Sequence, residues 1–277
     1  MPKFDWFQTT FYGSCPTQSG LISDLFDHYD LVDFVPSKNL NGYHFGGSIK
    51  RGDQTLLHLC WGGQLGINAK ATSHHAIEFH RFLKKTGREH SPTRLDACED
   101  WFQEGFFDKV SKKLLSFANE NRLTINQQGD WHNKKGRTLY IGSPTSPIRL
   151  VVYEKTQERL SAGAQDVPEH WVRVEVRFRP KGDLTRSIVA NAEPDQIFCI
   201  GWVSGALKKI GYSNIKKLAI KTSWKPSETN KARLALIKQY KNVMLSWAEE
   251  LDGWDNFGLE IEQKIIEFER LQNEFIS

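Results

Sequence analysis

The sequence predicts an α+β protein, with an antiparallel or mixed sheet over residues 1–185 and a helical region over residues 186–277. Three observations carry that prediction. Between Thr138 and Arg179, three runs alternate β-branched or aromatic residues with polar ones at period two, the spacing of a strand. Upstream, apolar residues recur at helical spacing in stretches that alternate with further strand-like runs. From Ala192 on the pattern is helical, and a basic block is followed by an acidic one.

The elements follow in order. Phe4 to Phe11, rich in β formers, opens the chain as a strand. Leu21 to Val35 reads as a helix closed off by Pro36. Residues 42–50 and 55–59 flank Arg51-Gly-Asp53 as a hairpin, and Gly62-Gly-Gln-Leu-Gly66 ends it as a turn. Those glycines lack the following Lys-Ser/Thr of a phosphate cradle, so the turn is preferred. Ser73 is placed to N-cap a helix from His74 to Lys85, with Ile77, Phe79, Phe82 and Leu83 on its apolar side and Gly87 beyond its end. His74, His75 and His80 are expected on the solvated surface of that helix, since a spacing of five leaves one face and no HExxH motif is present. Thr93 to Asp100 is a strand that projects Asp96, Cys98 and Asp100 from one face. A helix from Gly105 to Glu120 buries Phe106, Phe107, Val110, Leu114, Leu115 and Phe117, and Leu123–Gln128 is another strand. Lys134-Lys-Gly-Arg137 is a basic turn into Thr138-Leu-Tyr-Ile-Gly142. That strand forms a hairpin with Ile148–Lys155 across Gly142-Ser-Pro-Thr-Ser-Pro147. Trp171–Arg179 is the next strand, so the first 180 residues read as two strand–helix–strand units on one sheet.

Bulk properties bound the function. The 277 residues suffice for one large or two small domains, and 39% apolar content with nine Trp argues against disorder. Cys15, Cys60, Cys98 and Cys199 show no CxxC spacing, which argues against a disulfide framework or a zinc knuckle and for reduced thiols in a cytoplasmic protein. There is no apolar leader and no run of ~20 apolar residues, so no membrane partner is expected. Rossmann, zinc-finger and Ser-His-Asp spacings are absent.

The chemistry concentrates on one sheet face. Arg149, Val151, Tyr153 and Lys155 share a face of one strand; Trp171, Arg173, Glu175, Arg177 and Arg179 share a face of the next. Beside the strand carrying Asp96 and Asp100, these acids suit a hard divalent cation, Mg²⁺ or Mn²⁺, which takes oxygen ligands. Tyr153 could act as a nucleophile once its phenol is poised, with Lys155 favouring the phenolate, and Arg149, Arg173 and Arg177 could bind flanking phosphates. The plain alternative is a half-buried packing tyrosine among cross-strand ion pairs. In the basic block, Lys208 and Lys216 belong to a natural nucleic-acid surface, as do Lys135 and Arg137 in the basic turn. Equally, the basic and acidic halves of a solvated helix pair could attract each other. The last segment, with Leu259, Ile261, Ile265, Ile266, Phe268, Leu271 and Phe275, is an amphipathic helix.

Four stretches resemble one family in order and style. They are Thr93-Arg-Leu-Asp-Ala-Cys-Glu-Asp100, Thr138-Leu-Tyr-Ile-Gly-Ser143, Arg149-Leu-Val-Val-Tyr-Glu-Lys-Thr-Gln-Glu158 and Trp171-Val-Arg-Val-Glu-Val-Arg-Phe-Arg179. They look like the Rep_trans-type replication initiation factors of rolling-circle plasmids, filamentous phages and some conjugative relaxases, over residues 4–180. The resemblance implies a ferredoxin-like sheet elaborated by duplication and related to His-hydrophobic-His nucleases, though no His-x-His pair occurs here. It places the active tyrosine at Tyr153, in a strand ending Arg-x-Tyr-(Asp/Asn)-Lys, from which Glu154 departs. It places the acidic strand at Asp96 and Asp100 and the Arg-x-Glu strand at Arg173 and Glu175. The implied activity is metal-dependent nicking and rejoining of origin DNA through a 5′-phosphotyrosine. The implied partners are double-stranded origin DNA, the nicked single strand, and a host helicase and polymerase; whether the protein acts as a homodimer is left open. Two rival readings are a sequence-specific DNA-binding protein without catalysis, and a phage protein whose acid/Arg face is only an ion-pair network.

Overall fold

The computed structural model describes the backbone of all residues except 13–14, 38–41, 65, 219–227 and 275–277, and additionally leaves aside the side chains of 15–19, 228–234 and 269–274. Two compact units divide the chain, Met1–Ser223 and Trp224–Ser277.

The first unit is built on one ten-stranded sheet. In chain order it contains β1 (Lys3–Phe11), α1 (Cys15–Tyr29), β2 (Asp33–Pro36), β3 (Phe45–Arg51), β4 (Gln54–Trp61), β5 (Ile67–Thr72) and α2 (His74–Thr86). There follow β6 (Ser91–Phe102), α3 (Phe106–Glu120), β7 (Ile125–Asp130), β8 (Lys135–Ile141), β9 (Ile148–Glu154), α4 (Lys155–Ser161) and β10 (Trp171–Phe178). Three helices close the unit: α5 (Asp183–Ala190), α6 (Pro194–Phe198) and α7 (Val203–Ile210). The strand order is β2-β3-β4-β5-β1-β6-β10-β9-β8-β7. Every described pairing is antiparallel. The order is symmetric about the central β1–β6 pair. Each of these two strands is followed by a helix and a four-strand meander whose last strand returns beside it.

Period-two patterning explains the two faces. Phe4, Phe7, Leu95, Ala97, Leu150, Val152, Val172, Val174 and Val176 are buried in a single core with Phe79 and Phe82 of α2, Phe107 and Leu114 of α3, Phe198 of α6 and Val203 of α7. Phe7 meets Phe79 edge-on at 5.8 Å, and Trp101 stacks on Phe106 at 5.2 Å, so α2 and α3 lie on this side. The opposite face of the strands carries the polar residues. At ~25 cal/mol per Å² of apolar area buried, one such shared core is the main source of stability for the whole sheet.

Several sequence expectations need correction. The first helix ends at Tyr29, where Asp30 and Leu31 take left-handed φ of 47°, and Asp33–Pro36 is an edge strand beyond it. Residues 67–72 are a strand although small residues dominate them; β1 and β4 supply ladder partners on both sides. Ser73 precedes α2 with φ 55° and makes no side-chain cap, while Gly87 ends the helix in the left-handed conformation as expected. His75 and His80 are buried rather than solvated, His80 lying 4.9 Å edge-on to Phe4. On α3 the buried set is Phe107, Val110, Ser111, Leu114 and Ala118, with Phe106, Leu115 and Phe117 only partly covered. The first compact unit runs from Met1 to Ser223, and α5, α6 and α7 contribute Val189, Ile197, Phe198, Val203, Ala206 and Leu207 to its core.

The second unit is a helical hairpin of α8 (Glu228–Glu250) and α9 (Trp254–Glu274). Phe257 is its anchor, meeting Trp247 at 5.4 Å and Trp254 at 5.3 Å, both edge-on. Leu259, Ile265, Ile266 and Phe268 of the expected apolar stripe are exposed. Lys221 and Lys225 of the basic block lie outside the described residues, as do the side chains of Lys231, Arg233 and Leu271 and the whole of Phe275.

Candidate active site and nucleic-acid face

Ladder register brings the chemistry-bearing residues into rows across the polar face. One row is Asp100 on β6, Arg173 on β10 and Tyr153 on β9. The next is Cys98, Glu175 and Val151, and the third is Asp96, Arg177 and Arg149. Neighbouring strands stand ~4.8 Å apart, so side chains along and between these rows touch.

Tyr153 Oη donates a 3.3 Å hydrogen bond to Oε2 of Glu175. Oε1 of the same carboxylate accepts from Arg177 Nε at 2.6 Å. Arg173 is enclosed: it donates to both oxygens of Asp100 at 2.7 and 3.0 Å and to Asp5 at 2.8 Å, and Lys3 adds a 2.9 Å contact to Asp100. Arg94 Nε lies 3.0 Å from both carboxylate oxygens of Asp96, which is 2% exposed. Charge-assisted, bidentate bonds of this kind fix the arginines as well as the acids.

The acids differ in their titration. Burial pushes the Asp96 carboxyl up to about 6; Arg94 opposes the shift and the nearby Glu175 carboxylate adds to it. Burial also works against the charge of Asp100, but the Arg173 and Lys3 hydrogen bonds outweigh it and hold that carboxyl at about 2. Burial raises the Asp5 carboxyl despite Arg173. The Tyr153 phenol is raised by burial and then by the Glu175 charge, so it rests protonated. Burying acids together in this way separates their proton affinities, which is how a site acquires distinct acid and base groups.

The other expected residues scatter. Lys155 is not on β9 but is the first residue of α4; its Nζ still lies 5.4 Å from the Tyr153 ring centre and pairs with Glu158 at 2.7 Å. Arg149 and Arg177 are on the face, Arg149 stacked 4.0 Å over Tyr140 with its Nε unpartnered. Arg137 is elsewhere: its 6%-exposed side chain binds Glu154 at 2.7 Å and Asp108 of α3 at 2.6 Å, on the helix-covered side. Lys135 is exposed at the start of β8, opposite Asp130 on β7. Lys208 is exposed on α7, and Lys216 pairs with Asp195 at 2.6 Å. Asp96 and Glu175 come together, whereas Asp100 turns to Arg173 and Lys3. Among the described residues no three His, Cys, Asp or Glu side chains gather as a metal-holding group.

Asp5, Lys3, Arg94, Trp6 and Tyr140 belong to this face and were not singled out from sequence. Their signal was faint, because it lies in cross-strand register and in the bulge between Phe4 and Trp6 rather than in any local motif. At the end of the strands a cleft of about 620 Å³ opens beside the site, lined among others by Lys3, Asp5, His75, Lys155, Arg159 and Arg173.

Buried acids, a tyrosine and arginines thus gather on the polar side of an antiparallel sheet. Residues 93–249, more than half of the chain, match the family model of the Rep_trans replication initiation factors, and the chain belongs to that family. Among solved structures it is similar to a rolling circle replication initiator protein from Geobacillus stearothermophilus, at 24% identity and a TM-score of 0.49 over 75% of this chain and 84% of that one. No curated protein matches. No described helix is long and apolar enough to cross a membrane.

Proposed function

We propose that the protein initiates rolling-circle replication by nicking one strand of origin DNA and later rejoining it, with Tyr153 as nucleophile. The observation that carries this reading is the hydrogen bond from the Tyr153 hydroxyl to the buried Glu175 carboxylate. The phenolic oxygen attacks the scissile phosphorus while its proton passes to Glu175. The bond from phosphorus to the 3′-oxygen breaks, and that oxygen takes up a proton, leaving a 3′-hydroxyl and a 5′-phosphotyrosine. The reverse attack by a 3′-hydroxyl rejoins the strand without ATP, because the phosphodiester energy stays in the covalent link.

Arg177 and Arg149 bind the phosphates that flank the break, and Arg173, fixed by Asp100 and Asp5, holds positive charge beside the tyrosine ring. Lys155, from the start of α4, adds a second cation there. Asp96 and Glu175, both buried carboxylates on paired strands, are the residues that would hold a divalent cation. Mg²⁺ or Mn²⁺ held by them would supply charge stabilisation at the phosphoryl oxygens. We read the symmetric strand order as a duplicated ferredoxin-like unit, with the chemistry kept in the second half. Helicase and polymerase would be separate host partners.

Incubating the protein with origin-bearing and control supercoiled DNA, with Mn²⁺, Mg²⁺ or EDTA, tests the proposal on denaturing gels. A metal-dependent nick with a protein–DNA adduct is expected; binding without cutting under every condition would favour a DNA-binding protein without catalysis.

A further inference from the structure

The half of the sheet that lies before the family match has its own arrangement on the polar face. Trp6 on β1 is the ladder partner of Asp96, which puts it in line with Arg177 and Arg149. Arg94 lies 4.0 Å and Lys70 5.2 Å from the Trp6 ring centre. Lys70 on β5 pairs with Gln8 on one side and His58 on the other. Burial, then the charges of Lys70 and Lys50, hold the His58 imidazole below its ordinary value, so these cations are close neighbours. The strands β3, β4 and β5 present Ser48, Lys50, His58, Asn68 and Lys70 on this face and no acid.

We infer that this half of the face is a track for single-stranded DNA, which runs across the strands from Lys50 and Lys70 over Trp6 to the Tyr153 site. The inference rests on the nicking reading for the direction of the track but not for its chemistry. An indole flanked by a guanidinium and an ammonium serves the two features common to every single strand: bases that stack and phosphates that need cations. A duplex hides its bases, so it has no use for the indole. From β5 to β9 the face spans about 19 Å at ~4.8 Å per strand, enough to hold several nucleotides in an extended strand. The absence of acid from β3 to β5 separates this half from the catalytic half, where buried carboxylates stand between the arginines. A single strand released at Tyr153 would thus be held by the same sheet that cut it.

The test uses the full-length protein and fluorescence anisotropy with labelled oligo(dT) and with a duplex of equal length. Trp6→Ala should weaken oligo(dT) binding about fivefold to a hundredfold, the range for losing one stacked base. Trp6→Phe should restore most of the affinity. Lys70→Ala should lower the slope of log affinity against log salt by about 0.7 for the single strand. Duplex affinity should change much less in each case. Unchanged oligo(dT) affinity in Lys70→Ala and Trp6→Ala proteins that melt like wild type would overturn the inference, as would equal losses for single strand and duplex. Should Trp6→Ala fail to fold, Lys70→Ala and Lys50→Ala alone decide it. Failure of the nicking reading would show in the adduct gel, and failure of the track only in anisotropy.

Discussion

Tyr153 and Glu175, on adjacent strands, share a 3.3 Å hydrogen bond in which the phenol donates and a 3%-exposed carboxylate accepts. Neither residue is unusual alone. Together they place a proton acceptor on the phenolic oxygen, the atom that the proposed nicking step requires to lose its proton.

Glu175→Gln keeps the shape and the hydrogen bond but removes the base. Nicking should slow about 10²- to 10⁴-fold, with DNA affinity changed little. Single-turnover cleavage of a labelled origin strand measures this, and an unchanged rate would remove Glu175 from the chemistry.

Asp96 makes stability fall with rising pH. Its carboxyl sits at about 6 in the folded protein against an ordinary 3.8, so between those values the folded state holds a proton that the unfolded chain has released. The slope of stability with pH is therefore negative across that window, and the loss persists above it. Asp96→Asn should melt above wild type at pH 7.5 in EDTA, and the difference should vanish near pH 4. Added Mn²⁺ should raise the wild-type melting temperature and leave the variant unmoved, which calorimetry would show.

Asp100 has the opposite sign. Its carboxyl is held at about 2, so its contribution is full above the ordinary 3.8 and is lost as pH falls through 2. Asp100→Asn leaves Arg173 with Asp5 as its remaining carboxylate and should cost about 3 kcal/mol at neutral pH, read by urea unfolding.

Arg137→Ala separates fold from binding. The side chain closes a network with Glu154 and Asp108 beneath the sheet, so the variant should lose about 3 kcal/mol of stability and keep its oligonucleotide affinity once folded. A loss of DNA binding in a protein as stable as wild type would return Arg137 to the DNA-contacting set.

What the sequence revealed follows from what is local. Strongly patterned strands such as 148–154 and 171–178 and helices with clean apolar stripes such as 106–120 were legible because period and burial agree there. Residues 67–72 were not, since Ala69 and Ala71 carry little strand preference and take their conformation from two ladders. The strand reading ran on to Lys155 because neither Gly nor Pro follows Glu154, and α4 starts there without a side-chain cap to announce it. His75 and His80 looked solvated because histidine is polar; Phe4 and Phe7, brought by β1, cover His80. That Tyr153, Glu175, Asp96 and Asp100 share one face was legible from alternation on their strands. The roles of Asp5 and Arg94 were not, because they depend on which strands pair and in what register.

The most direct measurement is the mapping of the covalent adduct. The protein is incubated with origin-bearing supercoiled DNA and Mn²⁺, and the peptide that retains the 5′-phosphate is sequenced, with Tyr153→Phe alongside. The account predicts phosphate on Tyr153 and, in the variant, no nick with DNA binding intact. An adduct on another residue, or a Tyr153→Phe protein that still nicks, would contradict it.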